Sequence, residues 1–164
     1  MSKGLEERIE ELSKELEDLK CELDKAKSNN CERYRANCGE TYYYYSSTGI
    51  VYDCDESNGE YDINRYAMGN YFQTVKEAKS SVRKIMIYMQ LKDLALRLNN
   101  GEEIDWENDN QPKYFLYYNN NHKKIYTICT YYSKELGQIY CLDKNFLEIA
   151  KQEIGEENLK KLFE

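Results

Sequence analysis

Apolar residues open the chain at alternating steps of four and three: Leu5, Ile9, Leu12, Leu16, Leu19, Leu23 and Ala26. Repetition every 3.5 positions is a heptad seam, which keeps one helix face against a partner helix. No second heptad run is evident, so the expected partner is another copy, and the seam predicts a homo-oligomer through residues 3–28. With Ile9, Leu16 and Leu23 at a, the flanking charges set Glu15 against Lys20 and Glu22 against Lys27 in a parallel pair. Exposed pairs contribute about 0.3–0.5 kcal/mol each, so they choose orientation while the leucines hold the strands.

After the seam the period changes. Cys31 to Glu40 reads as a polar linker, and Thr41 to Tyr45 reads as a strand, because aromatic residues suit a pleated, half-buried surface. Ser46–Gly49 turns it back through Ile50-Val51-Tyr52. Asp53 to Asn64 is expected to be an acidic loop, followed by a short strand through Tyr66 and Tyr71-Phe72. Thr74-Val75-Lys76-Glu77 is a capping box that starts a helix. Its apolar positions form two stripes: Val75, Ala78, Val82, Ile85 and Met89, and Ile87, Leu91, Leu94 and Leu98. Such a helix is expected to pack on both sides. Asn99-Asn100-Gly101 ends it. A second hairpin follows, Lys113–Tyr118 with Lys124–Tyr132. Gln138 to Cys141 predicts a further strand, Asp143 a cap, and Phe146, Leu147, Ala150 and Ile154 a last amphipathic helix that Gly155 breaks.

These elements predict an α+β chain. An N-terminal coiled-coil helix (1–30) and a linker (31–40) precede an α+β domain (41–164) with an antiparallel sheet and helices on one face. Gly69-Asn70-Tyr71-Phe72 and Gly137-Gln138-Ile139-Tyr140 each precede a helix start, which suggests a duplicated strand-strand-helix unit.

Composition narrows the function. The chain of 164 residues carries a net charge of −7, which argues against broad nucleic-acid binding, since that affinity comes from counterion release by Lys and Arg. No apolar run approaches the length of a membrane span, and the charged start lacks a signal peptide's apolar stretch, so a cytoplasmic protein is expected. Residues 74–101 nevertheless hold six cations against two carboxylates. The six cysteines include no C-x-x-C pair, and the only histidine, His122, sits in an Asn-rich turn, so neither a metal nor a cofactor is expected. The 17 tyrosines suit a sheet with one wet face. No phosphate loop, nucleophile elbow or zinc helix is present, and the expectation is a binding protein, not an enzyme.

Two segments look more particular than folding requires: Arg65-Tyr66-x-x-Gly69-Asn70-Tyr71-Phe72-x-Thr74-x-x-Glu77-Ala78 and Asp105-Trp106-x-Asn108-x-x-Gln111-x-Lys113-Tyr114. In them, and on through Gly137-Gln138-Ile139-Tyr140 to Ile154-Gly155-Glu156-Glu157, the chain resembles small proteins, mostly without assigned activity, encoded by phages and prophages of low-GC Gram-positive bacteria. The resemblance covers roughly residues 41–164. This chain departs from it by adding the coil and by having Leu142 where Ser or Thr is usual. The resemblance implies an accessory protein acting in a bacterial host by binding. Its first expected form is an inhibitor of a host defence protein, with Asp53, Asp55, Glu56, Asp105 and Glu107 meeting a basic groove. The alternatives are a sponge for a nucleotide immune signal, with Arg65, Arg83, Lys84, Trp106 and Tyr114 as ligand residues, and a structural or regulatory phage protein. Convergence of aromatic and basic groups in one pocket would favour the sponge, and an acidic convex face the inhibitor.

Overall fold

The computed structural model describes residues 33–163 together with Arg8, Ile9, Leu12, Ser13, Glu15 and Leu16. Those six are helical, and Ile9, Leu12 and Leu16 lie exposed. The rest of the expected seam, Leu5, Leu19, Leu23 and Ala26, lies outside the described residues. The elements are β1 (Thr41–Tyr45), β2 (Val51–Asp55), α1 (Glu60–Ala67), α2 (Val75–Leu98), β3 (Lys113–Asn119), β4 (Lys124–Thr130), α3 (Phe146–Glu153) and α4 (Glu156–Lys160). The chain is therefore mixed α and β. Among the described residues, no helix is long and apolar enough to cross a membrane.

The expected single sheet is two separate two-stranded sheets, β1 with β2 and β3 with β4. Each hairpin pairs only its own two strands. The expected acidic loop 53–64 is the end of β2 followed by helix α1, in which Tyr66 also lies. The expected strand through Gln138–Cys141 contributes one bridge only, between Cys141 and Tyr114, whose backbone groups exchange hydrogen bonds of 2.7 and 2.8 Å. The order of elements repeats, two strands followed by two helices, although α1 lies between β2 and α2 where no helix lies between β4 and α3.

The chain divides into two units. Unit 1 comprises Met1–Tyr42 and Cys54–Gln73, and unit 2 comprises Tyr43–Asp53 and Thr74–Glu164, so the boundary expected at residue 41 falls inside unit 1. The expected linker is also part of unit 1. Ala36 is buried and its N–H donates to the Tyr71 hydroxyl, the Gly39 N–H donates to the Glu56 carbonyl, and the Glu56 N–H donates to the Glu40 carbonyl.

Unit 2 owes its core to α2. Ile87, Leu91, Leu94 and Ala95 pack with Leu116 of β3, Ile125 of β4, Cys141, and Phe146, Leu147, Ala150 and Ile154 of the α3 segment, with Leu159 of α4 beneath. The helix starts as expected: Thr74 Oγ1 accepts from the Glu77 N–H while Glu77 reaches back to the Thr74 N–H. Asn100 and Gly101 take positive φ just past its end, the left-handed conformation that turns the chain away from a helix. The stripe through Ile87, Leu91 and Leu94 faces this core. The opposite stripe is covered only in part, since Ala78 is buried but Val75, Ile85 and Met89 are exposed. Cys141 is buried, whereas Cys129 of β4 is exposed.

Candidate functional site

In unit 1 the chain builds a buried polar cluster around two tyrosines. Tyr42 and Tyr71 stack with ring centroids 3.9 Å apart, which buries both rings and leaves two hydroxyls to satisfy. Tyr42 donates to Asp62 Oδ1 at 2.6 Å, and Tyr71 to Glu56 Oε2 at 2.6 Å. Asp62 is itself buried. Its other oxygen accepts from the Ser57 N–H, the Ser57 hydroxyl and the Gly59 N–H, which ties down the chain entering α1. Arg65 donates to the Tyr42 hydroxyl at 2.7 Å, and the Arg35 guanidinium lies 3.5 Å from Glu56. Arg33 lies over the Tyr66 ring, and the Tyr66 hydroxyl donates to the Arg33 carbonyl.

These partners shift the titrations in a consistent sense. The Tyr42 hydroxyl bond, then those from Ser57, hold the Asp62 carboxyl far below the carboxylate range. Burial first, then the carboxylate each one faces, pushes Tyr42 and Tyr71 well above the usual phenol range. A depressed acid stabilises the fold above its unfolded pKa, about 4, and loses that as pH falls. A raised tyrosine stabilises below about pH 10 and loses that as pH rises. Unit 1 should therefore weaken at both extremes. The near-ultraviolet signal of the tyrosine stack, melted at pH 3, 7 and 11, should show its highest midpoint at pH 7. A midpoint unchanged at pH 3 would contradict the Asp62 assignment.

The second site lies in unit 2, where loop 99–112 meets the segment before α3. Lys113, the first residue of β3, is fully buried, and its Nζ donates to the carbonyls of Asn108 (3.1 Å), Gln111 (2.9 Å) and Tyr131 (2.9 Å). The Gln111 side chain completes the loop, accepting from the Asp105 N–H and donating to Glu102 Oε1 and the Glu103 carbonyl. Asp105 and Asn108 each cap a short turn. So held, the loop presents Trp106, whose ring meets Tyr140 edge-on at 4.8 Å with Lys113 and Lys134 each 5.4 Å from its centroid.

Trp106 lines an open cleft of about 530 Å³, with Lys92, Leu96 and Tyr88 of α2, Glu102, Glu103, Ile104, Lys134, Ile139 and Tyr140. Its size falls within the range of small-molecule sites. Apolar walls and an indole supply a surface for a flat ring, Lys92 and Lys134 supply positive charge, and Glu102 and Glu103 supply acceptors.

The residues expected to bind do not converge. Arg65 serves the Tyr42 cluster of unit 1. In unit 2, Arg83 donates to Asn158 at 2.8 Å and with Lys84, Lys76, Lys79 and Lys161 rims a separate basic depression of about 280 Å³. Tyr114 lines a third recess beside Leu142 and Lys144. Only Trp106 reaches the cleft. Of the acidic set, Asp53 is exposed, Asp55 accepts from the Thr41 hydroxyl at 2.8 Å, and Asp105 and Glu107 lie on the exposed loop. Glu56 requires correction: it is 1% exposed and held by Tyr71, so it cannot meet a partner on a surface. Sequence reasoning missed Lys92, Lys134, Tyr88 and Tyr140, which come from distant segments. Lys113 was visible only as part of the Asp105–Tyr114 pattern.

No family model matches the chain, and no curated protein and no solved structure matches it significantly.

Proposed function

We propose that this chain is a phage- or prophage-encoded accessory protein that works by stoichiometric binding, and that its unit 2 takes a nucleotide in the Trp106 cleft, sequestering an immune signal of the host. The observation that carries this reading is the meeting of an indole, two tyrosines, two lysines and two carboxylates around one cavity of suitable size. A base would stack on Trp106, the phosphate would face Lys92 and Lys134, and Glu102 or Glu103 would accept from ribose hydroxyls. A binder that works by titrating its target gains from several copies per particle, which is the role proposed for the heptad seam of residues 3–28.

Trp106 is the only tryptophan, so binding can be read from its fluorescence. Titration with nucleoside mono-, di- and cyclic phosphates should give saturable quenching by at least one of them. Lys134→Glu should weaken that ligand roughly tenfold to a hundredfold, in keeping with the loss of a charge-assisted hydrogen bond. Absence of quenching by every nucleotide would overturn the reading.

The inhibitor reading keeps one specific support, the exposed run Glu102, Glu103, Asp105, Glu107 and Asp109 on a single loop. In that case binding of a basic host protein would weaken sharply with salt, because exposed charges are screened over about 8–10 Å.

A further inference from the structure

The six cations that the sequence gathers in residues 74–101 serve three different places. Lys92 lines the Trp106 cleft, and Arg97 pairs with Glu153. The other four, Lys76, Lys79, Arg83 and Lys84, share one face of α2 with Ser80, and together with Lys161 they line the depression of about 280 Å³. No carboxylate of the described residues lines it. Glu77 of α2 faces the Thr74 N–H instead, and Glu156 and Glu157 of α4 are held by Lys151 and Lys160. Five positive charges therefore share one recess uncompensated, which costs the free protein stability because like charges on neighbouring helix turns repel. Arg83 is nevertheless held in place: its Nη2 donates to Asn158 Oδ1 at 2.8 Å, and Asn158 Nδ2 donates to the Ile154 carbonyl at 2.8 Å. A guanidinium fixed among like charges is ready for an anion, since less freedom is lost when it bonds one.

We propose that this depression takes the phosphate chain of a small polyphosphate, with the five cations on its oxygens and the Ser80 hydroxyl as a further donor. Charge and size select that chemistry. Several phosphates in a row answer several cations, whereas a single phosphate or carboxylate would leave most of them unpaired. The volume falls below that of sites which engulf a drug-sized ligand, and no aromatic ring lines it to stack a base, so the group that carries the chain stays outside. Nucleic acid is the poorer match, because beyond the depression it would run against a protein of net charge −7. The inference is independent of whether the Trp106 cleft takes a nucleotide.

The test is calorimetric titration of the full chain with inorganic triphosphate, free of divalent metal, in about 0.15 M salt, where loose surface attraction is screened. Saturable binding of one triphosphate per chain is expected. Adenosine triphosphate should bind within about threefold of it, and orthophosphate more than about tenfold more weakly. Trp106→Ala should bind as wild type does. Lys79→Gln with Lys84→Gln should weaken triphosphate more than about tenfold, while the melting midpoint of the free protein holds or rises. Lys161→Gln, from the other wall, should weaken it several-fold. Binding of adenosine triphosphate without triphosphate, orthophosphate binding equally well, loss of binding in Trp106→Ala, displacement of triphosphate by a far lower concentration of a DNA oligonucleotide, or unchanged affinity in the lysine variants would each overturn the inference.

Discussion

Replacing Lys113 with methionine is expected to destabilise unit 2 by about 2–4 kcal/mol, although methionine nearly matches lysine in volume. The stem would still fill its place. The Asn108, Gln111 and Tyr131 carbonyls would lose the donor they share, and two of the three belong to the loop that presents Trp106. Loss of the anchor should therefore do more than lower the melting midpoint. Trp106 fluorescence should shift to the red and become accessible to acrylamide before the hairpin melts. A fall in stability below about 1 kcal/mol, with the tryptophan signal unchanged, would show that water replaces the ammonium without cost.

Asp62→Ala should have a comparable effect on unit 1, about 3–5 kcal/mol by urea denaturation. Four donors converge on this carboxylate: the Tyr42 hydroxyl, the Ser57 N–H and hydroxyl, and the Gly59 N–H. Alanine leaves them around a void that the buried Tyr42 ring cannot fill. Asp62→Asn keeps one acceptor and should fall between wild type and Asp62→Ala, with its acid-induced loss of stability much reduced. Equal stability of the two variants would show that the packing, and not the hydrogen bonds, carries the site.

Local chemistry was the legible part of this sequence. The Thr74 capping box, the Asn100-Gly101 helix end and both hairpins lie where turn residues and hydrophobic period put them. Long-range pairing was not legible, because alternation shows that a strand has two faces but not which edge it joins. Helix α1 was missed for a related reason: its acidic first turn, Glu60 and Asp62, reads as loop composition until Asp62 is seen turned inward.

The two motifs that looked too particular for folding turn out to be largely folding. Arg65 reaches Tyr42, Tyr66 reaches Arg33, Gly69 takes positive φ after α1, and Thr74 and Glu77 cap α2. Asp105, Asn108, Gln111 and Lys113 build the loop under Trp106. Such residues constrain a backbone as strictly as a catalytic set would, so specificity of pattern did not separate the two. What remains for the proposed binding is the indole the loop presents and the lysines that line the same cleft from α2 and the segment before α3.

The proposal of stoichiometric binding at the Trp106 cleft is tested most directly by native mass spectrometry of the full chain purified gently from a bacterial host mounting an immune response. The account predicts a retained nucleotide-sized mass at one per chain in the wild type, released unchanged on denaturation and absent from Trp106→Ala. A protein that carries no such mass, or that converts the nucleotide to a product at many turnovers per chain, would contradict it.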